Sequence, residues 1–352
     1  MDNSVSSIHC LKNLIIYRNI LKDEIIAQLI QTPGTDTQNC FSLGHALLTK
    51  AEILGLSGDV LKSYLLYLLA TDENVFSLTA EKTGGKIGPS LRRAVTHDLT
   101  VLQQVLTADL SGLVAEDLLR DYTPTCPAAI PGLTAFQHCL SRLGQADAEN
   151  FIDGLANHYA AYGCGEMAKY IAFRYERDRG ITGIANFDDI GLGDIIGYER
   201  QKDILIRNTQ AFLAGRPANN VLLIGARGTG KSSSVKALIN EYHPAGLRIV
   251  EVSKYDLRDL PLIMSQLRFR GKKFILFLDD LSFEENEIEY KYLKSMIDGG
   301  LSAKPANVLI YATSNRRHLI RENWTDHDDS DDLHNFDTVN EKISLSDRFG
   351  LT

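Results

Sequence analysis

The sequence holds one tryptophan and nine prolines in 352 residues, and none of its cysteines pair at metal-ligand spacing. Its five cysteines, Cys10, Cys40, Cys126, Cys139 and Cys164, are odd in number and far apart. That argues against a disulfide framework or a zinc ribbon and for reduced thiols. No charge-free apolar run reaches the ~18 residues that a membrane-spanning helix needs. The first apolar stretch is interrupted by Lys12, Arg18 and Lys22 and lacks a small-residue cleavage site, so it does not read as a secretory signal. A basic excess is missing as well. The 37 Lys and Arg against 45 Asp and Glu leave a formal charge of −8, a poor footprint for a surface given over to nucleic acid. No fixed-period repeat occurs. The expectation from these absences is a cytoplasmic protein with no membrane partner.

What is present fits an ordinary globular chain, 44% hydrophobic and 23% charged, and long enough for two domains. Residues 1–182 read as a mainly helical domain. Apolar residues recur at helical spacing over 14–30, 60–69, 91–106 and 166–177, separated by breakers at Gly55–Gly58, Gly84–Gly85 and Pro124–Pro131. No chemistry attaches to this half. From 183 to 352 the texture changes. A helix is expected over 198–213, strands over 221–224, 248–252, 274–278 and 308–312, and helices over 231–241, 257–269 and 284–297. Strict alternation of this kind predicts an α/β domain with a mostly parallel sheet, helices on both faces, and a ligand site beyond the carboxyl ends of the strands.

The segment Gly225-Ala226-Arg227-Gly228-Thr229-Gly230-Lys231-Ser232, followed by Ser233, has the spacing G-x-x-x-x-G-K-[S/T] between an apolar strand and a helix. Its glycines permit backbone conformations that turn N–H groups inward, and the helix beginning near Lys231 aims its positive dipole end at the same point. Lys231 would bring a full charge to the β- and γ-phosphates of ATP, and Ser232 a hydroxyl to Mg²⁺. The strand Phe274–Leu278 ends in Asp279 and Asp280. On a strand beside the phosphate loop, Asp279 would hold Mg²⁺, leaving Asp280 as candidate base, with Glu284 and Glu285 as backups. The plainer alternative is a turn opened by two aspartates. Asn315, ending the strand 308–312, is a candidate to orient water without adding negative charge, or simply a strand-end cap. Arg348, in Ser-Asp-Arg-Phe after a helix expected from Val339, is a candidate arginine finger for a neighbouring subunit. From spacing alone a salt-bridged surface arginine fits it better.

The order of these segments, Ile196-Gly197-Tyr198, GARGTGKS, FILFLDD, ATSN and SDRFG, resembles the AAA+ ATPase superfamily over about residues 185–352. It is most similar to a bacterial AAA-type family known as domain of unknown function 815. The resemblance implies an AAA+-like P-loop NTPase domain in which Ile196 and Gly197 pack against adenine. It further implies Walker A residues at Lys231 and Ser232, Walker B residues at Asp279 and Asp280, sensor 1 at Asn315 and an arginine finger at Arg348. It also implies homo-oligomerisation in the ATP-bound state. Asp280 stands where the superfamily usually has glutamate, which bears against fast hydrolysis. The superfamily's fifth strand and helical lid have no counterpart before Thr352. The expectations are therefore a missing lid, an exposed edge on the phosphate-loop strand, and a fragment of a longer product or a degenerate copy.

The leading function is a Mg-dependent ATPase coupling nucleotide state to an unknown protein partner. The alternative is an ATP-gated switch or scaffold with little turnover. A nucleic-acid-remodelling role rests only on the cluster Arg268, Arg270, Lys272 and Lys273, and a small-molecule kinase lacks an acceptor site. The acidic stretch 326–337, with His327 and His334, lacks calcium-loop spacing and reads as a solvated insertion, with Trp324 packing the neighbouring loop.

Overall fold

The computed structural model describes residues 2–31, 37–110, 113–114, 119–125, 148–283, 287–297, 304–316, 319 and 345–352. Glu284, Glu285, Trp324, the acidic stretch 326–337, Cys126, Cys139 and most of the helix expected from Val339 lie outside the described residues. The chain divides into two compact units, residues 1–169 and 170–352.

The first unit is helical: α1 (Asp2–His9), α2 (Glu24–Gln31), α3 (Thr37–Leu54), α4 (Val60–Thr71), α5 (Val75–Thr83), α6 (Pro89–Thr107), α7 (Ala148–Tyr162) and the single turn α8 (Glu166–Lys169). Local chemistry marks the ends. The Asp59 carboxylate accepts from the Lys62 N–H at the start of α4, and Asn74 and Ser77 form a reciprocal capping box on α5. Gly84, at φ 65°, ends α5 in the left-handed conformation that glycine adopts without Cβ strain. Helix α4 is buried nearly all round, from Val60 and Leu61 to Tyr64, Leu65 and Leu69, and packs in the core with Leu11, Tyr17, Phe76 and Tyr159.

The continuous helix expected over 14–30 does not form. In its place are 3₁₀ turns at Cys10–Asn13 and Arg18–Lys22, and α2 begins only at Glu24. The cause is Asp98 on α6, fully buried. Its Oδ1 accepts from the Ile15 N–H at 2.9 Å, and its Oδ2 accepts from Ile16 at 2.7 Å and Tyr17 at 2.9 Å. A carboxylate that satisfies three successive N–H groups removes the reason for them to bond within a helix. Asp98→Ala leaves the buried Tyr17 N–H and the part-buried Ile15 and Ile16 N–H groups without this acceptor. It is expected to cost the helical unit about 3 kcal/mol, read as a lower urea midpoint of the helical signal. An unchanged midpoint would refute this role.

The second unit opens with a hairpin. Strand β1 (Ala172–Glu176) and β2 (Gly180–Gly183) pair antiparallel, where helical spacing had been expected over 166–177. Then follow α9 (Glu199–Leu213), β3 (Val221–Ile224), α10 (Lys231–Tyr242), β4 (Leu247–Glu251), α11 (Leu260–Leu267), β5 (Lys273–Leu278), α12 (Glu289–Ile297) and β6 (Val308–Ser314). The sheet order is β2-β1-β4-β5-β6-β3, and every pairing except the hairpin's is parallel. Strands β5 and β6 read as unbroken apolar runs because both faces are covered: all seven residues of β6 are buried. Helix α9 is fastened to β6 by Tyr311, whose hydroxyl bonds Thr209 Oγ1 at 2.8 Å and accepts from Asn208 Nδ2 at 3.0 Å. Burial raises the Tyr311 phenol above its ordinary pKa and keeps it a neutral partner for both.

The outer edge of β3, expected to be bare, is partly covered. Leu351 bridges Val221 in parallel; its carbonyl accepts from the Leu222 N–H at 2.9 Å and its N–H donates to Asn220 at 3.2 Å. Among the described residues no helix is long and apolar enough to cross a membrane.

Candidate nucleotide-binding site

The loop Gly225–Gly230 leaves the carboxyl end of β3 and enters α10. Gly228 (φ 77°) and Gly230 (φ 79°) occupy the left-handed region, which a side chain would strain. At Gly225 a Cβ would meet Thr229 Oγ1 at 3.2 Å and the Lys231 stem at 3.7 Å, so glycine there leaves the lysine its channel. Lys231 Nζ donates to the Gly225 carbonyl at 2.8 Å, the Ala226 carbonyl at 2.8 Å and Asn315 Oδ1 at 2.9 Å. All three acceptors are neutral oxygens, so the ammonium sits at the loop with its charge uncancelled by them.

Strand β5 does not lie beside β3, as the sequence reading had it; β6 stands between them. Asp279 reaches the loop all the same, because α10 packs across β4 and β6 and brings its first turn over the strand ends. Ser232 Oγ donates to Asp279 Oδ1 at 2.6 Å, and Thr313 Oγ1 donates to the same oxygen at 2.6 Å. Asp280 follows at φ 50°, a left-handed conformation that costs a non-glycine residue on the order of 1 kcal/mol. Its N–H donates to Thr313 Oγ1 at 2.9 Å, and its Oδ1 accepts from Asn315 Nδ2 at 2.6 Å. Lys231, Ser232, Asp279, Asp280 and Asn315, spread over 85 residues of sequence, thus form one hydrogen-bonded cluster. A hydroxyl and a carboxylate oxygen in contact are hard donors of the kind Mg²⁺ takes together with phosphate oxygens. No group of three His, Cys, Asp or Glu among the described residues offers an all-protein metal cage instead.

Beside the loop lies a pocket of about 420 Å³, lined by Leu222, Leu223, Gly225, Thr229 and Lys231 on one side and by Tyr198, Gln201, Lys202 and Leu205 on the other. That volume suits a small organic ligand of ~300–1,000 Å³. Ile196 is 91% exposed and, like Gly197 (φ 80°), is not part of the lining. The wall is built by the residues that follow, Tyr198 at φ 56° and the first turns of α9. Sequence reading missed Tyr198, Gln201 and Leu205 as wall residues. The signal was their helical spacing after Gly197. Arg227 and Gly228 are exposed at the loop tip and Ser233 is half-buried. The segment that follows Arg348 runs beside β3, with Gly350 against Asn219, before the start of that strand, and Thr352 in the pocket lining. The basic cluster is not a continuous surface, since Lys272 is 3% exposed and Lys273 Nζ lies 5.0 Å from the Phe212 ring centre.

A glycine loop between a parallel strand and a helix, with a serine–aspartate contact at its floor, is the arrangement of a P-loop domain. Residues 168–352 match the family described as "Protein of unknown function (DUF815)", and the chain belongs to that family. Among solved structures, the Thermotoga maritima RuvB Holliday junction branch migration motor is 18% identical over 46% of this chain and 46% of its own, with a TM-score of 0.29. A variant of the same motor is 21% identical over the same shares, again at 0.29. The chain therefore spans less than half of those structures, and at such scores the likeness bears on neither substrate nor partner. No curated protein matches the chain.

Proposed function

We propose that the chain is a Mg-dependent ATPase that couples nucleotide state to a protein partner through oligomerisation. The observation that carries this reading is the half-buried Lys231 ammonium, bonded among the described residues to three neutral oxygens at the mouth of a left-handed glycine loop. Phosphate oxygens would replace those neutral acceptors as charge-assisted partners. The loop N–H groups and the amino end of α10 would take the remaining phosphate charge. Ser232 and Asp279 would hold Mg²⁺, which when bound supplies Lewis-acid charge to the phosphates. Asp280 is the group to receive a proton from the attacking water, and Asn315 the group to orient that water. Arg348 would act as an arginine finger on the site of a neighbour. The thiols Cys10, Cys40 and Cys164 and the nucleotide requirement fit a cytoplasmic setting.

A second reading, an ATP-gated switch with negligible turnover, is favoured by one observation. The Asp280 carboxylate is short and already accepts from Asn315 at 2.6 Å. Steady-state hydrolysis measured across protein concentration separates the two. The ATPase reading expects specific activity to rise with concentration, and Arg348→Ala to remove that rise while leaving ATP binding intact. Flat activity that is indifferent to Arg348 would refute the shared site. Binding without turnover at any concentration would leave the switch.

A further inference from the structure

We propose that Thr313 is a positioning residue that sets both acidic groups of the site, an inference that rests on the ATPase reading. Thr313 is 1% exposed, on the all-buried strand β6, and carries no charge of its own. The roles of its hydroxyl are fixed by its neighbours. The Asp280 N–H can only donate, so Thr313 Oγ1 accepts there, at 2.9 Å. The single hydroxyl proton is then left for Asp279 Oδ1, at 2.6 Å. The backbone of the same residue completes the clamp, because the Thr313 carbonyl accepts from the Leu281 N–H at 2.7 Å.

One residue therefore holds three successive positions: the side chain of Asp279 and the N–H groups of Asp280 and Leu281. The consequence for chemistry follows from two facts. Asp279 Oδ1 receives both Thr313 and Ser232 hydroxyls, so its remaining oxygen, Oδ2, is the one that carries none of the described hydrogen bonds and is left to a cation or its waters. Asp280 sits at φ 50°, a conformation that needs an outside hold, and the hydroxyl supplies it through the N–H. Outer residues that orient metal-site groups are worth roughly 10–100-fold in metal affinity or activity. A valine at 313 keeps the shape of the side chain and removes both bonds; a serine keeps both.

The test compares the full chain with Thr313→Val and Thr313→Ser. ATP affinity is measured by calorimetry in Mg²⁺ and in EDTA, together with amide exchange at Asp280 and Leu281 in the nucleotide-free protein. Thr313→Val is expected to weaken ATP binding roughly 10–100-fold in Mg²⁺ and leave binding in EDTA unchanged. It is also expected to speed exchange at Asp280 but not at Leu281, whose acceptor is a backbone carbonyl that the substitution keeps. Thr313→Ser is expected to restore all of these. Equal loss with and without Mg²⁺, unchanged exchange at Asp280, or a folded serine variant that fails to restore would each overturn the proposal. If the valine variant does not fold, Thr313→Ala gives the same comparison with the buried methyl group also removed. If the unaltered chain binds no ATP, the ATPase reading fails, and exchange at Asp280 still decides whether Thr313 holds the acidic pair.

Discussion

Lys231→Ala is expected to lower Mg-ATP turnover by about two to three orders of magnitude, the usual loss when one group aimed at developing charge is removed. The geometry gives the reason. Lys231 Nζ is held by Gly225 O, Ala226 O and Asn315 Oδ1, so its position is set before any ligand arrives. Three neutral oxygens cost little to replace, whereas a carboxylate partner would compete with phosphate for the same charge. Alanine removes that charge and also frees Asn315, which Lys231 holds by its amide oxygen. Folding should change little, because the two carbonyls released lie in a partly exposed loop where water can serve them. The check is a steady-state rate together with a melting curve. A variant that melts like the parent and still turns over ATP at the parent rate would contradict the assignment.

The second large effect concerns Asp280. Asp280→Asn is expected to lower turnover by about 10²–10⁴-fold, the range for losing a general base, while leaving Mg-ATP affinity near that of the parent. Asparagine is a fair control for the backbone, since it tolerates the left-handed region as aspartate does, and it keeps the N–H that donates to Thr313. Asp280→Glu keeps the carboxylate and extends its reach past the amide that engages it, so it is expected to turn over ATP at least as fast as the parent. Single-turnover rates separate these outcomes. If the asparagine variant hydrolyses ATP as fast as the parent, Asp280 is not the base. If parent and glutamate variant are both inactive while binding ATP, the switch reading stands.

The phosphate loop was legible in the sequence because its chemistry is local: eight residues carry the spacing, the glycines and the lysine. Asp279, Asp280 and Asn315 were legible as polar residues closing apolar strands near the loop, but the strand order that brings them there was not. The placement of Asp279 on a neighbouring strand failed because strand order is set by crossover packing rather than by sequence order, and β6, the last of the described strands, inserts between β5 and β3. Thr313 sits inside the same short motif as Asn315. Its partners are 33 and 34 residues away, and nothing in the motif marks it as more than a strand residue. The broken helix near the N-terminus has the same explanation at longer range, since Asp98 acts on residues 81 to 83 positions away. The hairpin β1–β2 was missed for a different reason. Over 172–176 only Arg174 is exposed, so alternation is weak, and the turn after Glu176 was the better signal.

The most direct test of the central claim is a calorimetric titration of Mg-ATP into the full chain, with Lys231→Ala titrated in parallel. The account predicts saturable binding near one nucleotide per chain, with the heat lost in the variant. No saturable heat from the parent chain, or equal binding by parent and variant, would contradict it.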